Sequence, residues 1–369
     1  MTLVKKKKVA IVGTNGLPGR YGGWDQLVNH LTHDLRDQFD FYVYTSKWDV
    51  VDNIREYNGA KIKVVPLRAN GFQSIIFDGW SMLCAAFRCD VTVVFGTSGC
   101  IFLPFFKLIG SKLVLNPDGA EWKRGKWNKY VKSFLLLSEK MGVKYSTHVI
   151  SDNKHIGEYL EEAYGTQSSL IEYGGDNAKY IELSEEVASK YGIAKNEYAF
   201  KVCRIEPENN IDLILHAFEE VSYRLIIIGN WKNSDYGTKL QDKYKDNSNI
   251  TLLDPIYHQE TLDELRGNCG IYVHGHSVGG TNPSLVEAMN LGLFCLVYDV
   301  NYNRETTERK AKYFKTKNDL VLAMAEFGSP EFDANSVRGN MLEIANRRYR
   351  WGIITNKYAE VFSSACLSK

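Results

Sequence analysis

The chain has 369 residues, 44% apolar and 24% charged, which leaves room for two domains with a core each and excludes a disordered or fibrous polypeptide. A net charge of +1 provides no global basic field, so no nucleic-acid partner is expected. Seven scattered cysteines (Cys84, Cys89, Cys100, Cys203, Cys269, Cys295 and Cys366) form no Cys-x-x-Cys pair and read as reduced thiols of a cytoplasmic protein, not as a disulfide framework or a zinc site.

In chain order, the lysine run 5–8 leads straight into an apolar strand, and no signal peptide is read there. That run is either a solvated flank or a point of attraction to an anionic membrane surface. Strands follow over 8–12, 40–44, 61–66, 91–95, 112–116 and 148–150, separated by helical patterns such as 24–38 and 152–164. The two longest apolar stretches, 72–87 and 101–115, are interrupted by Asp78 and by Lys107 and Lys112, so neither is expected to span a bilayer. After the junction Tyr173-Gly-Gly-Asp176 a second series begins, with strands over 198–205, 224–228, 250–253, 270–273, 294–298 and 311–314. Its helices cover 211–221, 237–245, 261–268, 283–290 and 320–327. This alternation predicts an α/β protein with two Rossmann-like, doubly wound parallel-sheet domains, 1–176 and 177–344, facing across a cleft. The remainder, 345–369, is read as a helix that either crosses back to the first domain or ends the second.

Two loops carry chemistry. The first, after strand 8–12, is Gly13-Thr-Asn-Gly16-Leu-Pro-Gly19-Arg20-Tyr-Gly22-Gly23. It is wider than the Gly-x-Gly-x-x-Gly elbow, and strand 40–44 ends in Tyr44-Thr45-Ser46 without the acid that would hold a dinucleotide ribose, which argues against a dehydrogenase. Its glycines with Arg20 suit a cleft wall that touches a phosphate or a sugar. The second loop, His274-Gly-His276-Ser-Val-Gly-Gly-Thr-Asn282-Pro283, follows strand 270–273 and opens a helix. Asn282 is a good N-cap and Pro283 suits the first helical position, so amide donors and a positive helix end would face a diphosphate. Glu287, one turn on, is placed to accept from a ribose.

At these residues the chain resembles the GT-B glycosyltransferases of the large retaining family four, and more narrowly their bacterial rhamnosyltransferase-type branch, which builds capsule and cell-wall polysaccharides. The matching pieces are Gly16-Leu-Pro-Gly-Arg-Tyr-Gly-Gly23, Asp118-Gly-Ala-Glu-Trp-Lys-Arg124, Tyr173-Gly-Gly-Asp176, Arg204-Ile-Glu-Pro-Glu-Asn-Asn210, His274 to Met289 and Asn303-Arg-Glu-Thr-Thr307. The resemblance implies that Arg204 neutralises the donor diphosphate, that Gly280, Thr281 and Asn282 cradle its phosphates, and that Glu287 holds the ribose. Ile256 would cup the base, and His276 and the stretch 303–305 would lie beside the same pocket. Two positions depart from the pattern. The first glutamate of the E-x7-E signature falls at Gly279, so His276 or Thr281 would contact the sugar instead. The lysine expected after Arg204 is Asn209, for which Arg20 or Arg304 would compensate.

The implied reaction moves a sugar, rhamnose from dTDP-L-rhamnose by preference, to a hydroxyl of a lipid-linked saccharide with retention of configuration. Arg204 and the helix amides would stabilise the leaving diphosphate, with no metal or cofactor required. Asp118 and Glu121, on the first domain, are the acceptor-side candidates, although Asp118 also reads as an ordinary turn aspartate. Such an acceptor implies a cytoplasmic protein in peripheral contact with the inner face of the plasma membrane. Two other readings remain: a non-catalytic partner that binds sugar nucleotides, and a GT-B sugar-nucleotide epimerase.

Overall fold

Short runs of β-branched and aromatic residues, buried on both faces, build two parallel sheets. The computed structural model describes residues 5–19, 22–50, 54–117, 119–124 and 127–368. The chain divides into one unit of Met1–Tyr173 with Trp351–Lys369 and a second of Gly174–Arg350.

The first unit contains β1 (Lys7–Val12), α1 (Gly23–Asp34), β2 (Phe39–Ser46), β3 (Glu56–Tyr57), β4 (Ala60–Val65), α2 (Gln73–Ala86), β5 (Val91–Phe95), α3 (Leu103–Leu108), β6 (Leu113–Asn116), α4 (Lys129–Tyr145), β7 (His148–Ser151), α5 (Lys154–Tyr164) and β8 (Ser169–Leu170). The sheet order is β3-β4-β2-β1-β5-β6-β7-β8, parallel except for β3, which pairs antiparallel with β4. Sequence reading passed over β3, yet its turn is Asn58-Gly59 with φ of 51° and 77°, the pairing that favours a two-residue hairpin.

In the second unit are α6 (Glu185–Tyr191), β9 (Tyr198–Val202), α7 (Ile211–Phe218), β10 (Arg224–Ile228), α8 (Asp235–Tyr244), β11 (Ile250–Leu253), α9 (Gln259–Gly267), β12 (Ile271–His274), α10 (Pro283–Asn290), β13 (Phe294–Tyr298), α11 (Asn301–Thr306), β14 (Lys312–Phe314), α12 (Lys317–Phe327) and α13 (Ala334–Arg348). Its all-parallel sheet runs β11-β10-β9-β12-β13-β14, and counted from β9 that is the doubly wound order 3-2-1-4-5-6. Ile214, Leu215, Phe218, Leu225, Ile227 and Phe294 are fully buried in its core.

The segment 345–369, read as one helix, is not one helix. Tyr349 caps α13 with φ of −114°, its N–H bonding Ala345 O, and a separate helix α14 (Trp351–Leu367) starts after Arg350. Its apolar face belongs to the first unit. Phe362 packs edge-on against Phe39, Trp351 stacks on His30 at 4.0 Å, and Tyr358 OH accepts from Asn116 Nδ2 at 3.2 Å.

Candidate functional site

In the second unit the strand order reverses between β9 and β12. The loops that leave the carboxyl ends of those two strands must therefore diverge and leave a crevice, the usual ligand position in such sheets. Arg204, Asn209 and His276 meet there. Arg204 follows β9, half exposed, with Nη2 3.8 Å from Glu206 Oε2. Asn209 is buried and joins the two loops: its Nδ2 donates to Arg204 O at 2.8 Å, and its Oδ1 lies 3.1 Å from His276 Nδ1. Because the Asn209 amide nitrogen is engaged as donor, its oxygen is the acceptor, so His276 carries its proton on Nδ1. Ser277 N and Oγ both donate to Glu208 O, and Asn210 Nδ2 donates to Gly275 O. From α11, Asn303 Nδ2 donates to His276 O at 2.8 Å, which ties a third segment to the first two.

Helix α10 opens as its sequence dictates, with Asn282 Oδ1 accepting from Ser284 N at 3.1 Å and Pro283 in the first turn. The helix end has few donors left to offer. Pro283 has none, Ser284 N serves the cap, and Leu285 N and Val286 N go to Asn282 O. Before the helix runs the loop of Gly279, Gly280 and Thr281, with Thr281 buried. Gly279 has φ of 111°, a conformation L side chains rarely adopt, and a Cβ there would sit 3.3 Å from His276 Nε2. The position where the resemblance expects a glutamate is held by backbone that disfavours one.

Glu287 lies deeper. It is buried, with Oε2 2.6 Å from Arg266 Nη1 and Oε1 accepting from Asn177 Nδ2 at 2.8 Å. Ile256 is half-buried in the loop after β11. Arg304, offered as compensation for Asn209, is instead held by Asp299 through Nε at 2.5 Å and Nη2 at 2.7 Å, with its guanidinium over the Tyr313 ring. A bidentate pair of this kind leaves little of the fork for a phosphate.

In the first unit the glycine loop follows β1, again where the strand order reverses, between β1 and β5. Gly16 has φ of 104°, and a Cβ there would fall 1.8 Å from Thr45 Oγ1 at the end of β2. Gly19 lies against Asp25 at the start of α1. Arg20 and Asp118 lie outside the described residues. Glu121 accepts from Trp127 Nε1 at 3.0 Å and pairs with Arg124 Nε at 2.7 Å, so both carboxylate oxygens are engaged within its own loop.

Comparison with known proteins follows this division. Residues 184–326 match the model of the glycosyl transferases group 1, and residues 6–176 match a domain of unknown function, DUF1972. The chain carries a glycosyl transferases group 1 domain. No curated protein matches the chain. Among solved structures it is similar to sucrose-phosphate synthase of Thermosynechococcus elongatus, with 14% identity over 97% of this chain and 99% of that chain and a TM-score of 0.82. It is also similar to HepE of Anabaena in complex with UDP-glucose (14%, 97% and 100%, TM-score 0.77) and to the catalytic domain of starch synthase IV of Arabidopsis thaliana bound to ADP and acarbose (11%, 99% and 100%, TM-score 0.70). Identities this low speak for the fold, which is GT-B: two parallel-sheet α/β domains.

Among the buried polar residues of the group 1 domain, Lys201 and Arg266 escaped the sequence reading, and His274 was read only as the start of the second loop. Lys201, in β9, is buried beside Cys203, and burial lowers its proton affinity. His274, the last residue of β12, is held well below the ordinary histidine range by burial first and the Lys201 charge second. Arg266 is the buried partner of Glu287. The signal for Lys201 was present, since a lysine inside the apolar run Tyr-Ala-Phe-Lys-Val has no place in a central strand unless something beside it is polar.

Proposed function

We propose that the protein transfers a sugar from a nucleotide diphosphate donor to an acceptor hydroxyl, with the donor bound at the carboxyl ends of β9 and β12. The observation that carries this reading is the knot of Arg204, Asn209 and His276 at the strand-order reversal, inside the segment that matches the group 1 transferases. HepE, a neighbour in fold, has been solved with UDP-glucose, which supports a sugar nucleotide as the class of ligand. Arg204 then faces the diphosphate, the loop at Gly280, Thr281 and Asn282 supplies backbone donors, and Ile256 meets the base. Glu287 takes the ribose through the carboxylate that Arg266 and Asn177 fix in place. As the sugar–phosphate bond breaks, negative charge grows on the leaving diphosphate, and a guanidinium with fixed amides stabilises it without reorganising.

Rhamnose from dTDP-L-rhamnose is the favoured donor, transferred with retention to a lipid-linked saccharide in polysaccharide synthesis. Asp118 and Glu121 are the acceptor-side carboxylates in this reading, and Gly16, Gly19 and Arg20 the wall beside the donor. The acceptor places the protein in the cytoplasm, against the inner face of the plasma membrane. Among the described residues no helix is long and apolar enough to cross a membrane, so contact of this kind is peripheral. The test is a panel of nucleotide sugars scored by thermal stabilisation and then by transfer to a lipid-linked acceptor. A ligand at 100 times its Kd adds about 2.7 kcal/mol of stability. A protein that no nucleotide sugar stabilises is not this enzyme, and one that binds a donor yet never transfers is the non-catalytic partner.

A further inference from the structure

Helix α2 is apolar on two opposite sides. Phe77, Ser81, Met82 and Ala85 face the core. On the other side, Phe72 just before the helix, Ile76, Trp80, Leu83 and Phe87 just after it all fall within about 80° of arc at 100° per residue. That second stripe is exposed along its whole length: Phe72 81%, Trp80 54% and Phe87 78%. A helix with such a composition ordinarily has protein on both sides.

The stripe continues sideways. The ring of Phe102 lies on Gly79 of α2, with Cε2 2.8 Å from where a Cβ would be, and brings in α3, whose Phe105 and Leu108 are exposed, the latter 86%. It also ends in positive charge. A cavity of about 430 Å³ is lined by Lys5, Lys6, Lys7 and Lys8 together with Phe87 and Arg88. A second, of about 70 Å³, shares Ala86, Cys89 and Asp90 with the first and extends to Ile109 and Lys112, between α3 and β6. Between residues 72 and 117 the acids are Asp78, which is buried, and Asp90, which accepts from Lys8 N at 2.8 Å. A chain of net charge +1 thus gathers lysines and an arginine at one end of this exposed apolar stripe.

We propose that the face of α2 and α3 docks on an anionic lipid bilayer, with Phe72, Trp80, Phe87 and Leu108 entering the headgroup boundary and the lysine run 5–8, Arg88 and Lys112 meeting anionic headgroups. The charge argues for a bilayer over a second copy of the chain, because the acids between residues 72 and 117 are buried Asp78 and Asp90, which already accepts from Lys8 N, so a second copy of this stretch brings no acid to meet the cations. Aromatic and aliphatic side chains on one side of a helix, with cations at their margin, are the chemistry of interfacial binding. Docking needs neither donor nor acceptor, so it stands or falls independently of the transferase reading.

The test is sedimentation of the full chain with vesicles of phosphatidylcholine alone and of phosphatidylcholine with phosphatidylglycerol, at low and high salt. The wild type is expected to bind the phosphatidylglycerol vesicles about tenfold more tightly than the neutral ones, an advantage that salt removes. Trp80→Ser with Phe87→Ser is expected to reduce binding by about tenfold with an unchanged thermal midpoint, since both side chains are exposed. Lys5→Glu with Lys7→Glu should abolish the preference for anionic lipid. If the serine pair misfolds, Trp80→Phe keeps the stripe apolar and should retain binding while losing part of the fluorescence quenching by bromine-labelled lipid. Equal or absent binding to both vesicles, full binding by the folded serine pair, or unchanged quenching in Trp80→Phe overturns the proposal. A dimer that the serine pair disperses, without vesicle binding, overturns it in favour of self-association.

Discussion

Gly279 is where a side-chain expectation meets a backbone fact. With φ of 111° it sits in a conformation that costs a non-glycine residue roughly 1–2 kcal/mol. Restoring the missing carboxylate by Gly279→Glu should therefore lower stability by about that amount and weaken donor binding, measured by urea unfolding and calorimetry. Tighter donor binding by that variant would mean the loop adapts readily and His276 has no special place. Glu287 makes a second case. Glu287→Ala leaves Arg266 buried without its 2.6 Å partner, and losses of about 3–5 kcal/mol are usual for such a deletion. Arg204→Ala, by contrast, removes a half-exposed side chain and should leave the melting point nearly unchanged. Its expected cost is a loss of about 1.5–3 kcal/mol in donor affinity, the worth of a hydrogen bond to a charged group. A stability loss in Arg204→Ala with donor affinity intact would remove that residue from the site.

At the scale of elements, α2 carries a buried acid as well as an exposed stripe. Asp78 accepts from Ser98 Oγ at 2.5 Å, and burial pushes its carboxyl up from 3.8 to about 7. Between those values the folded chain holds a proton that the unfolded chain has lost. The Asp78 contribution to stability is therefore complete below about pH 4 and drains away as pH rises to about 7. Asp78→Asn keeps an acceptor for Ser98 and has no proton to lose. Urea midpoints at pH 5 and pH 8 should show the wild type losing on the order of 2 kcal/mol relative to the variant. Parallel pH profiles would mean that Asp78 titrates in the folded chain as an exposed carboxyl does. The elements themselves were largely legible, because central parallel strands are unbroken apolar runs. Among the departures, β3 was missed because it has only two residues, and β9 stops at Val202, before Arg204, although the strand pattern with Cys203 and Ile205 was read on to 205.

For the whole molecule, the C-terminal segment is decisive for the first unit. Trp351, Ile354, Tyr358 and Phe362 of α14 are buried, and each contributes roughly 1.5–3 kcal/mol, a sum comparable with the full stability of a domain. Deleting 351–369 should abolish the thermal transition of the first unit and leave that of the second, as read by calorimetry. Retention of both transitions would show that α14 is dispensable. The sequence by itself determined that the protein is α/β with two parallel-sheet domains, and it marked the loops at Gly16, Arg204 and His276, because strand periodicity, helix caps and glycine spacing are properties of neighbouring residues. Only the tertiary structure decided which side chains meet: that Asn209 bridges Arg204 to His276, that Arg266 holds Glu287, that Asp299 occupies Arg304, and that the helix after Arg350 belongs to the first unit. Arg204 and Asn209, like Asp299 and Arg304, are close in sequence, but Asn209 and His276 are 67 positions apart and Asn116 and Tyr358 are 242 apart, and such partners are selected by strand order and burial, which no local pattern encodes.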